Sequence, residues 1–487
     1  MEDRMNTHFN NQAFECVGSG RLGLALDHEY LEELALVQRE LGFKRIRFHG
    51  LFHDDVGIYQ QHEDEQGNVE VEYNYTYLDR IFDSFQRLHI NPCLETGFMP
   101  AKLASGPETF SYWQGHITPP NNEQRWLDLV TTTLKHLVDR YGETVYTWPI
   151  EIWNEPNIDQ FWSGDEDDYL HFFAITFNAI KQLDDRFIVG GPAICGVQDE
   201  KWIKDFLAFC EKENLHPDFI TRHFYTVSVV PTAGHYRYPE LRDLKESLHE
   251  LETSRKLIDQ SSLKGLPMYI TEFSTSYSPD APLHDTVKNA AYVADMLSKM
   301  GDTCELYSYW TFGDVFEEKG IPYQLFHGGF GLLADHQIKK PTYWTYVFYK
   351  QLLDHCTLKN DHAVVTNDDQ GCQAGVVWNY RRDHDVAPYY YDIKQDQFDS
   401  AVLTLQLVDQ NHGNPLKTWH YLGEPANPQA ADVKLIKQAA NPEIKTVILH
   451  RGESYSLAVS ADAVVGFTVK PRSTASDRGF DYTKLTK

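Results

Sequence analysis

From about residue 14 to 350, short apolar runs alternate with longer stretches of helical period. The runs are Ala13–Val17, Phe43–Phe48, Asn91–Thr96, Thr147–Trp153, Phe187–Gly191, Phe219–Phe224, Pro267–Phe273 and Leu306–Phe312. Between them lie Glu29–Leu41, Leu78–Leu88, Gln124–Tyr141, Asp168–Leu183, Glu200–Glu213, Leu241–Ser261 and Thr286–Met300. Their apolar residues recur at three- and four-residue spacing, as Leu127, Val130, Leu134 and Leu137 do, which is the pattern of a helix with one buried face. Eight strands alternating with helices predict an α/β fold, a closed (β/α)8 barrel over residues 14–352. Beyond 352 the helical period fades. Short β-rich runs follow at His362–Thr366, Cys372–Tyr380, Ser400–Val408, Thr446–His450, Ser454–Val459 and Ala463–Val469, with a hairpin turn predicted over Asn367–Gly371. They predict a smaller antiparallel β-sandwich over 353–487, with residues 1–13 a candidate addition to it.

An open doubly wound sheet is the rival topology. Gly18, Gly20 and Gly23 have the spacing of a dinucleotide loop after the first run. That fingerprint also needs an acid at the end of the next strand, and this strand ends Phe48-His49-Gly50. The glycines therefore read as a permissive loop.

The formal net charge of −27 argues against a nucleic-acid partner, which clustered Lys and Arg would have to hold. No run of about 18 apolar residues predicts a membrane span, and the first twenty residues carry no apolar secretory core. The seven cysteines are scattered, without a C-x-x-C pair, and read as free thiols in a reducing, cytoplasmic setting. No zinc or hydrolase-elbow motif occurs, Asp54 and Asp55 read as ordering a loop, and neither a metal nor a cofactor is expected. Aromatics make up 13% of the chain, suited either to cores or to stacking on sugars.

Active sites of such barrels lie at the carboxyl ends of the strands. The fourth run ends Trp148-Pro-Ile-Glu-Ile-Trp-Asn-Glu-Pro-Asn157. Alternation places Glu151 and Trp153 on one face, and Pro156 ends the strand with Asn154 and Glu155 at the lip. The seventh run places Glu272 similarly. Two carboxyls facing each other across a barrel mouth are what glycoside cleavage requires, one protonated and one ionised.

The segments EIWNEPN, ITEFSTSYSP, SYWTFGDVFEE and FHGGFGLL resemble glycoside hydrolase family 39, in its β-xylosidase branch. GSGRLGLAL, HDDVGIY, YLDRIFDSF, GFMPAKLASG, GGPAICG, RHFYT, HDT and HGNPLKTW follow the same family in the same order, covering nearly the whole chain. The resemblance implies a retaining enzyme in which Glu155 is the acid/base and Glu272 the nucleophile. It implies that Asn154 bonds the sugar 2-hydroxyl, that His49 contacts the terminal sugar, that Tyr225 holds Glu272, and that His223 lines the same floor. Glu317 or Glu318 would accept from sugar hydroxyls, Trp310 would form the platform under the ring, and Phe98 and residues 326–330 would wall the pocket. Phe48 and Phe224 depart from the family pattern and are expected to add bulk near the floor.

The implied function is an exo-acting β-xylosidase working on short xylo-oligosaccharides, as a homodimer or homotetramer. The alternatives are a family relative acting on an iduronide, glucoside or arabinoside, and a catalytically silent carbohydrate-binding protein. An iduronide would need a cation at the pocket, for which Lys102 is the candidate in the sequence.

Overall fold

The computed structural model describes residues 9–228, 231–380, 387–473 and 479–486. Each of the eight predicted barrel runs becomes a strand: β1 Cys16–Arg21, β2 Arg45–His49, β3 Asn91–Glu95, β4 Pro149–Glu151, β5 Ile188–Ile194, β6 Phe219–Tyr225, β7 Met268–Ser274 and β8 Leu306–Tyr309. All pair in parallel in chain order and close into a barrel, with Cys16 beside Ser308 and Val17 beside both Tyr309 and Ile46.

The helices between them are α1 His28–Glu40, α2 Thr76–Arg87, α3 Glu123–Tyr141, α4 Glu166–Leu183, α5 Asp199–Lys212, α6 Leu244–Gln260, α7 Val287–Met300 and α8 Pro341–Lys350. Asn122, Asp165, Asp243 and Thr286 start α3, α4, α6 and α7 by accepting hydrogen bonds from first-turn amides. On α3 the side chains of Trp126, Leu129, Val130, Leu134 and Leu137 are buried, and Leu127 is only partly so.

The second region has more elements than its six predicted runs. One antiparallel sheet has six strands: β9 His355–Lys359, β10 Ala363–Asn367, β11 Gln373–Trp378, β13 Ser400–Val408, β14 Glu443–His450 and β16 Val464–Pro471, in the order β9-β10-β11-β16-β13-β14. A two-stranded ribbon, β12 Tyr389–Gln395 with β15 Glu453–Val459, covers one face, so the second layer of the sandwich is narrow. Between β13 and β14 come two helices that the fading periodicity did not predict, α9 Pro415–Tyr421 and α10 Ala430–Ala439. The predicted turn joins β10 to β11, with Gly371 at φ +82°.

Strand alternation divides the six-stranded sheet between two cores. Ala363, Val365 and Val377 face the ribbon, while Val364, Val376 and Trp378 join the barrel core against α7 and α8. Residues 9–13 lie on the barrel side. Phe9 packs on Tyr349, and the side-chain amides of Asn10 and Asn11 donate to the carbonyls of Gly301 and Tyr349. Residues 1–8, the rest of the segment considered for the sandwich, lie outside the described residues.

Candidate active site

Polar and charged groups fill the carboxyl end of the barrel because each strand sends alternate residues inward. On β2, Arg47 and His49 point in. Arg47 is fully buried and ties four strand ends together: it donates to Glu151 at 2.7 Å, Glu272 at 2.6 Å and the Asn154 side-chain oxygen at 2.9 Å, and lies 3.3 Å from Glu95. Burial works against its charge, but Glu151, Glu272 and Glu95 outweigh it and hold the guanidinium protonated.

One oxygen of Glu155, one of Glu272 and a ring nitrogen of His223 all lie within 4.8 Å of one another. Glu272 accepts from Arg47 on one oxygen and from the Tyr225 hydroxyl on the other at 2.7 Å, an arrangement made for a carboxylate. Glu155 shares a 2.6 Å hydrogen bond with Nδ1 of His223. Burial, then the Glu272 charge, push the Glu155 carboxyl well above its usual range. Burial, with Arg47 and His49 adding to it, keeps His223 neutral. The two glutamates thus stand in opposite environments, one holding its proton and the other met by donors.

These groups border a cavity of about 610 Å³ together with His49, Trp310, Glu318 and Phe330. The His49 ring lies against Trp310 at 4.8 Å, tilted by 59°, and bonds Glu95, with its other nitrogen 3.4 Å from Glu272. Gly18 makes room for Trp310, since a Cβ there would lie 2.3 Å from a ring carbon. The Asn154 amide nitrogen is buried without a hydrogen-bond partner among the described residues, as is Nε2 of His223. The backbone carbonyl of Glu318 accepts from Tyr112 N at 3.0 Å and Ser111 Oγ at 2.6 Å, so the loops after β3 and β8 join over one end of the cavity.

The family model for glycosyl hydrolases family 39 matches residues 1–455. The chain belongs to glycosyl hydrolase family 39. It is 43% identical over 439 residues to a β-xylosidase of Geobacillus stearothermophilus, covering 88% of this chain and 86% of that protein. To a β-xylosidase of Caldicellulosiruptor saccharolyticus it is 31% identical over 480 residues, covering 94% of each. The solved structure of a monomeric β-xylosidase from Caulobacter crescentus CB15 superposes with a TM-score of 0.88 at 28% identity, covering 96% of this chain and 98% of that one.

Within this family-39 fold the structure brings Glu155, Glu272, His49, His223, Tyr225, Trp310 and Glu318 to one cavity, with Asn154 in the same network through Arg47. It also separates the two adjacent glutamates: Glu318 borders the cavity, whereas Glu317 is turned to Arg21 in a 2.6 Å ion pair. Phe98 stands one layer back, behind His49 at 5.9 Å, and Phe161 borders the cavity in its place. Phe326 packs on Trp419 of α9 instead of walling the pocket.

Three expectations are corrected. Phe48 faces outward onto Phe82 and Phe85 of α2, and Phe224 joins the outer core, because each alternates with an inward neighbour; neither narrows the pocket. Trp153 does not share a strand face with Glu151, because the ladder stops at Glu151 and Trp153 has φ +73°. Lys102 is exposed and does not border the cavity; Arg222, Arg237, Arg242 and Lys319 do.

Sequence reading missed Arg47 and Glu95. The signal was an Arg two residues before a strand-end His, inside an otherwise apolar run, and a Glu ending the third strand. Asp55 does order its loop, bonding Arg21 and His53.

Proposed function

We propose that the chain is a retaining, exo-acting β-xylosidase with Glu155 as acid/base and Glu272 as nucleophile. The observation that carries this is the pair of carboxyls in one cavity, with oxygens within 4.8 Å. Oxygens this close support the retaining class, whose carboxyl groups stand about 5–5.5 Å apart, over the inverting class at about 6.5–9.5 Å.

In the first step Glu272 attacks the anomeric carbon while Glu155 gives its proton to the leaving oxygen. The C–O bond to the leaving group breaks and a glycosyl ester forms. Glu155, now ionised, takes a proton from a water that attacks the same carbon. The ester breaks, the sugar leaves with its configuration kept, and Glu155 has its proton back. Arg47 and Tyr225 hold Glu272 in line, and the free amide hydrogens of Asn154 supply a donor for a sugar hydroxyl. Trp310 gives the ring an apolar floor. The joined loops after β3 and β8 close one end of the cavity, which suits removal of a terminal unit.

The curated relatives named β-xylosidase supply the sugar. A cytoplasmic site and a homo-oligomeric state belong to the same proposal, although the Caulobacter neighbour is described as monomeric. Among the described residues no helix is long and apolar enough to cross a membrane.

The test is turnover of 4-nitrophenyl β-xyloside by the wild type beside Glu272→Ala. Turnover by the wild type and a loss of several orders of magnitude in the variant are expected. An unchanged rate would place the nucleophile elsewhere, and no turnover by the wild type would sink the xylosidase reading.

A further inference from the structure

The two ends of the cavity differ in chemistry. His49 and the groups around Trp310 and Glu318 come from β2 and the loop after β8. Glu155 comes from the segment after β4, and other parts of the wall are built from the loops after β5 and β6: Val197, Val227, Arg237 and Arg242, with Arg222 of β6 itself. A glycosidase acid protonates the leaving oxygen, so the leaving group lies on the acid's side. On the xylosidase reading above, the β5–β6 end therefore receives the leaving group.

Three guanidinium groups border the cavity from β6 and the loop after it, Arg237 where that loop meets the one after β7 through its backbone N–H to the Asp280 carbonyl at 3.0 Å. Arg222 is fully buried. It pairs with Asp199 at 2.7 Å and donates to Ser254, yet its Nη2 makes no hydrogen bond among the described residues and stands 3.7 Å from Glu250. Arg242 bonds Glu250 and the Tyr225 carbonyl, and its buried Nε is likewise left without an acceptor. Asp199 and Glu250 balance these two charges. Arg237, half-buried, has no carboxylate partner among the described residues and is the surplus cation. Lys319, nearby, is already engaged by Asp280 and Ser278. The orphan donors of Arg222 and Arg242 are closed to solvent and add charge behind the wall, so Arg237 is the guanidinium left for a ligand, and its fork matches a carboxylate in shape and charge.

We propose that this arginine-lined end is a subsite for a carboxylate borne on the leaving group, making acidic aglycones preferred substrates. The net charge of −27 repels anions at long range, so the preference arises from contacts inside the cavity and not from steering.

The test uses β-xylosides of 3- and 4-hydroxybenzoate and of the corresponding hydroxybenzamides, which differ in charge but scarcely in shape. For at least one isomer the wild-type kcat/KM is expected to favour the acid over the amide by about tenfold, the scale of one charge-assisted hydrogen bond. In Arg237→Gln that ratio falls to about one. Equal rates for acid and amide in both isomers, or a preference that survives Arg237→Gln, overturns the subsite while leaving the xylosidase reading intact. Turnover of none of the four overturns both.

Discussion

Glu155 and Glu272 carry the same functional group, and the different roles proposed for them rest on their neighbours. Glu155 is buried beside the charge of Glu272, and both favour the protonated form, while the charge of Arg47 opposes them without prevailing. The direction of the pH effect follows. On the proposed mechanism Glu155 must hold its proton for the first step, so kcat/KM is expected to fall as pH rises through its raised value. In Glu155→Ala that alkaline limb disappears. The variant loses about 10²–10⁴-fold on a substrate with a poor leaving group and less on 4-nitrophenyl xyloside, whose leaving group needs little help. Azide, small enough to enter the space left by the side chain, restores the rate by attacking the glycosyl ester and yields a xylosyl azide of retained configuration. A pH–rate series on both proteins, with product analysis by NMR, checks this; an alkaline limb that survives the substitution would remove Glu155 from the role. At this scale the strand-end carboxylates were readable, whereas Phe48 and Phe224 were placed at the floor although alternation turns both outward. Asn154 and Glu155 were legible because they close the fourth apolar run, although the strand stops at Glu151, well before Pro156, and Glu272 because it sits in a short apolar run. Arg47 was not, because its importance comes from four partners on β3, β4 and β7 and the segment after β4, none of them near it in sequence. The choice between Glu317 and Glu318 likewise depended on Arg21, almost three hundred residues away.

At the scale of elements, period-two and period-3.6 patterns located all eight barrel strands, since each is a short apolar run and the helices between them carry one buried face. The same patterns failed for α9 and α10. Their buried residues are few, Pro415 and Trp419 on one and Ile436 on the other, so no repeating stripe exists to be read. Their importance lies elsewhere. Trp419 and Ile436 pack with Leu325, Phe326 and Ile338, and so brace the loop after β8 that carries Glu318. The contact between the six-stranded sheet and the barrel depends on a glycine. A Cβ at Gly466 of β16 would lie 2.4 Å from a ring carbon of Phe348 on α8. Gly466→Ala must therefore displace a fully buried ring in a packed interface, at about 1–3 kcal/mol. Chemical denaturation should show that loss, with kcat/KM of the folded protein near the wild-type value. Undiminished stability would mean that sheet and helix adjust freely and that the interface is loosely packed.

At the scale of the whole molecule, the barrel and the sheet are joined through more than a linker. Helix α8 buries Tyr343, Trp344, Tyr346, Phe348 and Tyr349, far more than the one apolar stripe of an outer barrel helix. Part of that surface is covered by Val364, Val376, Trp378 and Val464 of the six-stranded sheet, in the same core as the barrel. The indole of Trp344 donates to the carbonyl of Ala440, just past α10, at 2.6 Å. Division at residue 352 is where the sequence pattern changes, but it is not where the core ends. A chain cut after 352 would expose this face of α7 and α8 as a contiguous apolar patch, and patches larger than a few hundred Å² drive association in monomeric proteins. It would also strand the Trp344 N–H and release the loop after β8 from its brace. The truncated chain is therefore expected to aggregate, or to bind a hydrophobic dye while retaining little turnover of 4-nitrophenyl β-xyloside, even though every residue bordering the cavity is still present. Light scattering and dye binding on the purified fragment decide the matter. A dispersed fragment with full activity and the melting temperature of the intact chain would show that the barrel completes its own core, and that the sheet serves something other than the site.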